Sequence, residues 1–303
     1  MQVLFSLLLI MSAAAATAQV RDVHYQGNLT PLNIAPTFDH GYLVVYDRDR
    51  RIGVFRPDGA LIYKVAAQVP GADWANIENA AVDSDGTMAA AIRGVSAPGV
   101  ARGGGIALFD RTGIQTRFFD TGDFLPTQLA FGPDHSIWTI GWLGEGTASL
   151  TADYRILRNY AQDGRQLGAF LPRASFPYSQ YSGREPLIMP MVGLWELRVA
   201  NERVEAILHR PNLWVQTDLN GQEKGRWDIA LNGRPTAVTH GRAWRREGRQ
   251  LQAFDRATGV WRAVAFDAPE GTLLGAEGNS LVFLLRDGNT LRWVPAPGES
   301  PAP

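Results

Sequence analysis

Leu108-Phe109-Asp110-Arg111-Thr112-Gly113 is the stretch on which the fold turns. Two apolar residues run into Asp-x-x-Gly, and the glycine supplies the positive φ that a tight hairpin requires. The same run returns as Phe55-Arg56-Pro57-Asp58-Gly59, Tyr160-Ala161-Gln162-Asp163-Gly164, Thr217-Asp218-Leu219-Asn220-Gly221 and Phe254-Asp255-Arg256-Ala257-Thr258-Gly259. Measured glycine to glycine, successive copies stand 54, 51, 57 and 38 residues apart. A second kind of turn alternates with the first and precedes a hydrophobic run. Ala81-Val82-Asp83-Ser84-Asp85-Gly86 and Ala130-Phe131-Gly132-Pro133-Asp134-His135 are its clearest copies, with weaker ones at Val238-Thr239-His240-Gly241 and Gly275-Ala276-Glu277-Gly278-Asn279.

Between Gln19 and about Pro297 few stretches space apolar residues as a helix would; strand-like runs of four to eight residues recur instead. A repeat of this length fits four antiparallel strands, the unit of a radial array of sheets. Five units lie at about 32–67, 76–120, 126–171, 190–229 and 235–266. A sixth, 271–297, holds an inner hairpin (Thr272–Arg286) and one more strand, Thr290–Pro295, and lacks a fourth. Val20–Gly27 is an orphan strand at the other end, and lending it to the last unit closes the ring and removes the open edge. The expectation is an all-β, six-bladed β-propeller closed by an N-terminal strand. A two-sheet sandwich, or a seven-bladed ring with one degenerate blade, stays open at this point. The predicted domain is 19–297, followed by a disordered Pro-rich tail, 298–303.

Asn79-Ala80-Ala81-Val82-Asp83-Ser84-Asp85-Gly86-Thr87-Met88, Pro126-Thr127-Gln128-Leu129-Ala130-Phe131-Gly132-Pro133-Asp134 and Pro235-Thr236-Ala237-Val238 resemble the blade openings of NHL-type and SMP-30/gluconolactonase-like propellers. In those families a P-x-x-hydrophobic-x-x-D-x-x-G run opens each blade, and a hydrophobic-F-D-x-x-G run leads into its last strand. The resemblance implies the fold more than an activity, because propellers host hydrolases, lyases, sensors and binding platforms. The gluconolactonase-like enzymes hold a divalent metal in the central channel through a Glu, an Asn and an Asp from different blades. The Glu after the first inner strand and the P-N-D segment that carry two of these are not found here. Glu78, Asn79, Asp123 and Glu145 remain as oxygen donors within reach of the channel mouth, with surface or loop-capping roles expected for each.

Composition excludes much else. The 303 residues carry 29 basic and 30 acidic side chains, a balance that offers no field for nucleic acid or an anionic membrane. With no cysteine there is no disulfide framework, thiolate metal site or Cys nucleophile. Residues 1–18 read as a secretory signal. Val3–Met11 is apolar except for Ser6, and Ala16-Thr17-Ala18 sets up cleavage before Gln19. The region before that run, Met1-Gln2, departs from the pattern in having no Lys or Arg. The run is shorter than the roughly 20 residues of a membrane span, and no later segment reaches that length. A monomer in the periplasm or the medium is expected.

No G-x-S-x-G, H-E-x-x-H or Walker loop is present. Gly103-Gly104-Gly105 precedes a strand, not the helix that a phosphate cradle needs, and reads as a flexible hairpin loop. The histidines His24, His40, His135, His209 and His240 are dispersed, and His135 stands where a turn residue belongs. Four unequal loops point to a ligand face, since long loops in compact domains tend to be functional. Ala67–Asn76 contains Trp74. Arg93–Gly105 contains Arg93 and Arg102. Trp142–Asp153 contains Trp142 and Glu145, and Pro172–Pro190 contains Tyr178, Tyr181 and Arg184. These eight side chains are the candidate ligand-binding residues, because aromatics and arginines on one face make stacking platforms. For Trp74 and Trp142 the alternative is a plug between wedge-shaped blades. Trp195, Trp214, Trp227, Trp244, Trp261 and Trp293 lie in strands and are expected in the core. The functional expectation is a binding module for a small molecule, glycan or protein, with no cofactor and no catalysis. The alternative is a divergent metal-dependent lactonase-type hydrolase or a lyase, using a divalent cation such as Ca²⁺ at the central channel.

Overall fold

The Asp-x-x-Gly turns fold as their chemistry dictates. In the computed structural model, Gly113 N donates to Asp110 O at 2.9 Å, while Asp110 Oδ1 accepts from Thr112 N and Ile114 N at 2.9 and 3.0 Å. The structure describes residues 20–27, 37–47, 49–96, 100–143, 154–176, 196–200, 202–208, 213–229, 237–239 and 242–297. The predicted signal segment and the tail 298–303 lie outside them.

Each hairpin joins the third and fourth strands of a sheet, and there are six four-stranded antiparallel sheets. The first contains β2 (Thr37–Asp39), β3 (Tyr42–Tyr46), β4 (Arg51–Phe55) and β5 (Leu61–Ala66). The second contains β6 (Trp74–Val82), β7 (Met88–Ser96), β8 (Val100–Phe109) and β9 (Gln115–Asp120). The third holds β10 (Phe124–Phe131), β11 (Ile137–Leu143), β12 (Arg155–Tyr160) and β13 (Gln166–Pro172). The fourth holds β14 (Glu196–Ala200), β15 (Arg203–Leu208), β16 (Leu213–Asp218) and β17 (Glu223–Asp228). The fifth runs from β18 (Ala237–Thr239) through β19 (Arg242–Glu247) and β20 (Gln250–Asp255) to β21 (Val260–Val264). The sixth takes β22 (Gly271–Glu277), β23 (Ser280–Leu285) and β24 (Thr290–Pro295) from the C-terminus, and its outer strand is β1 (Arg21–His24). This is a six-bladed β-propeller closed by its N-terminal strand, which decides against the sandwich and the seven-bladed ring. The closing strand is pinned in register. Asp22 faces Arg292, whose Nε and Nη2 donate to its two carboxylate oxygens at 2.7 and 2.6 Å.

The core does not sit at the centre of the ring. It lies in six apolar clusters, one in each seam between neighbouring blades. Trp214, Trp244 and Trp293 are buried there, Trp227 and Trp261 pack against the cluster between blades four and five, and Trp195 lies outside the described residues. Gly59, Gly113, Gly164 and Gly221 serve the seams as well as the turns. A Cβ on Gly221, at φ +75°, would stand 1.9 Å from Cδ1 of Phe170 in the preceding blade.

Gly103-Gly104-Gly105 is not a hinge: all three lie inside β8. A Cβ on Gly104 would meet Leu125 Cδ2 at 2.5 Å and one on Gly105 would meet Phe119 O at 2.4 Å. The glycines let the next blade and the outer strand close in, and β7 and β8 stay paired as far as Ser96 and Val100.

Candidate functional site

All inner strands (β2, β6, β10, β14, β18 and β22) run in the same sense around the centre, so the ring has two unlike faces. Tight turns between first and second strands cover one face. The connections between blades, and between second and third strands, cover the other. Trp74 opens β6 at this second face, paired with Val95 near the end of β7. It is 37% exposed, unlike the other described tryptophans, which are buried or half-buried.

One neighbour of Trp74 comes from blade one, and Arg93 lies two residues along the β6–β7 ladder. Arg50, in the turn between β3 and β4 of blade one, places its guanidinium 5.3 Å from the centroid of the indole. That turn is held from within: Asp47 Oδ1 accepts from Asp49 N and Arg51 N at 2.8 and 2.9 Å, and Arg50 itself sits at φ +60°. A left-handed arginine is uncommon, and here the Asp47 contacts stabilise it. Arg93 lies on β7 opposite Asn76, and its Nη2 is 3.4 Å from Glu78 Oε1. Glu78 is the extra residue of a β-bulge in β6, between Ile77 and Asn79. Bulges re-aim a side chain and often adjoin functional sites. Thr127 in β10 is the equivalent bulged residue, and its hydroxyl donates to Ile140 O at 3.0 Å. Burial pushes the Glu78 carboxyl above the usual carboxylate range, an effect that the Arg93 charge partly offsets.

The other candidates are distributed as follows. Trp142 is half-buried in β11 and packs against the seam of blades three and four, in the manner of a plug. Arg102 lies in β8, where pairing of Val95 with Ala101 brings its backbone alongside the end of β7. The loop placement of Trp74, Arg93, Arg102 and Trp142 is therefore corrected: all four belong to strands, because β6, β7, β8 and β11 reach further toward this face than their turn residues suggested. Glu145, Tyr178, Tyr181 and Arg184 lie outside the described residues. Asn79 is a fastener, its Oδ1 accepting from Leu129 N of the next blade at 2.9 Å. Asp123 is exposed between β9 and β10. Among the described residues no group of three His, Asp or Glu side chains is placed to hold a metal ion.

Two features had no clear sequence signal. One is Arg50 itself. The other is a charged layer in the seam of blades four and five. There burial pushes the Glu196 carboxyl up to about 7 against the pull of Arg198, and Glu205 accepts from Gln216 Nε2 at 2.7 Å. Arg198 donates to Val238 O across the seam, and Arg256 lies over Trp214 and Trp227 at 4.1 and 4.4 Å.

No protein family matches the chain by its sequence pattern, and no curated protein matches it in sequence. Solved structures do. A Bacteroides fragilis protein described as exported aligns at 9% identity and TM-score 0.50, covering 91% of this chain and 94% of its own. A Bacteroides caccae protein of unknown function aligns at 12% identity and TM-score 0.47 over 80% of this chain and 81% of that one. A glucose dehydrogenase gives 13% identity and TM-score 0.46 over 91% and 99%. The likeness is one of fold. No helix among the described residues is long and apolar enough to cross a membrane.

Proposed function

We propose that the protein is an exported binding module whose ligand meets the loop face at the corner of blades one and two. The observation that carries this reading is Trp74. The other large aromatics among the described residues are buried or half-buried, while this indole stays more open under Arg50, with Arg93 two residues along the same ladder. An exposed ring bordered by planar hydrogen-bonding groups is the equipment of a stacking site, for sugars or peptide side chains. Tyr178, Tyr181 and Arg184, which lie outside the described residues, stay in this proposal as sequence-based candidates. Glu78 gives the second reading, a hydrolase or lyase at the channel, its specific support: a buried carboxyl with a raised pKa on a bulged inner strand is what an acid–base site would use. That reading needs a divalent cation such as Ca²⁺ to act with it.

The test is capture on arrays of neutral and acidic glycans and of immobilised peptides, by the mature protein and by Trp74→Ala. Binding that is lost in a variant that stays folded at the assay temperature supports the module. No capture, or capture indifferent to Trp74, overturns it. Trp74 is 37% exposed, so truncation is expected to cost some stability, and capture is compared at a temperature well below both melting curves.

A further inference from the structure

The chemistry around Trp74 narrows the class of ligand, given that Trp74 is the ligand platform. Two arginines elsewhere in the ring grip an acid with both edges of the fork. Arg292 holds Asp22 at 2.7 and 2.6 Å, and Arg226 holds Glu223 at 2.9 and 2.7 Å. Arg50 has no acceptor among the described residues. It touches Trp74 at 5.3 Å, looser than Arg158 on Phe124 (3.9 Å) or Arg21 on Trp293 (4.1 Å). Among the described residues Arg93 has one acidic neighbour, Glu78, at 3.4 Å, whose pKa burial raises and the Arg93 charge lowers. Arg50 thus leaves its guanidinium without a described acceptor at the edge of the ring, with Asp49 and Asp73 exposed at the neighbouring chain positions. The Asp47 turn fixes the Arg50 backbone before any ligand arrives, and preorganisation of this kind lowers the cost of binding.

We propose that this corner takes a ligand with a ring-sized apolar face that carries a carboxylate. The face lies on Trp74, and the carboxylate accepts from the guanidinium groups of Arg50 and Arg93. Charge-assisted bonds to a planar fork are stronger than neutral ones and discriminate the acid from its ester or amide.

Such a group is found on uronic-acid saccharides and on aromatic acids, and calorimetry on the mature protein separates the two. One arm compares trigalacturonate with its methyl ester, the other indole-3-acetate with its amide. In one arm the acid should bind at least about tenfold tighter than its neutral partner, and more weakly as salt is raised. Arg50→Gln and Arg93→Gln should each weaken the acid by about tenfold and leave the neutral compound unchanged. The arm that responds names the source. Equal affinity for acid and neutral forms, or no binding of either acid, overturns the proposal. If a neutral array ligand still depends on Trp74, only the carboxylate assignment has failed. If nothing on the arrays depends on Trp74, the platform has failed with it.

Discussion

His135 occupies the turn position that Gly86 fills one blade earlier. Its N donates to Gly132 O at 3.0 Å, as Gly86 N does to Asp83 O at 2.9 Å, and its φ is +62°. Sequence position alone assigned it to a turn. What position could not show is that its Nδ1 lies 2.7 Å from Oδ2 of Asp83, a carboxylate only 1% exposed and 52 residues away in the chain. Asp83, with Asp85 and Asp134, raises the imidazole pKa above its ordinary value. A histidine raised on folding adds stability that is complete below its unfolded pKa and fades as pH rises through the folded one. The melting-temperature gap between wild type and His135→Asn, which tolerates the left-handed backbone, should be widest near pH 5.5 and narrow above pH 8. A gap that ignores pH would show that the ion pair adds nothing. Arg50 was missed for a related reason: its meeting with Trp74 is a contact between blades, and spacing along one chain carries no record of such contacts.

The Asp-x-x-Gly hairpin was the most legible element because its requirements are local. One copy predicts another only in part, since each faces a different neighbour. Gly221 turns at φ +75° against the Phe170 ring, whereas Gly259 turns at φ +69° with nothing within 4 Å of a Cβ. Gly259→Ala should therefore cost only the left-handed backbone, about 1 kcal/mol. Gly221→Ala adds a collision and should cost about 3 kcal/mol. Denaturant midpoints at unchanged slope read the difference, and equal shifts would deny the seam contact. The loop around Gly103-Gly104-Gly105 was misplaced by the same local logic. Glycine looks like flexibility in a sequence, yet here it is the space that Leu125 and Phe119 need.

For the whole molecule, the repeat count and the orphan strand together determined the ring. The β1–β24 ladder buries Val23 between the first and last blades and removes an open edge. A chain lacking residues 20–27 should lose cooperativity in unfolding and associate through the bare β24 edge. Light scattering at rising concentration would detect the association, and a monomer with one sharp transition would mean that the ring closes without β1. The charged layer between blades four and five went unread because Glu196, Arg198 and Glu205 look like surface residues of ordinary alternating strands. Only the ring turns that surface inward.

The clasp between Asp22 and Arg292 spans 270 residues of chain, so the two ends are also far apart in time. Synthesis delivers the first strand early and its partner last. Until the final blade arrives, β1 has no edge to pair with and the ring has no way to shut. Completion then comes as a single late event, in which the oldest segment waits for the newest.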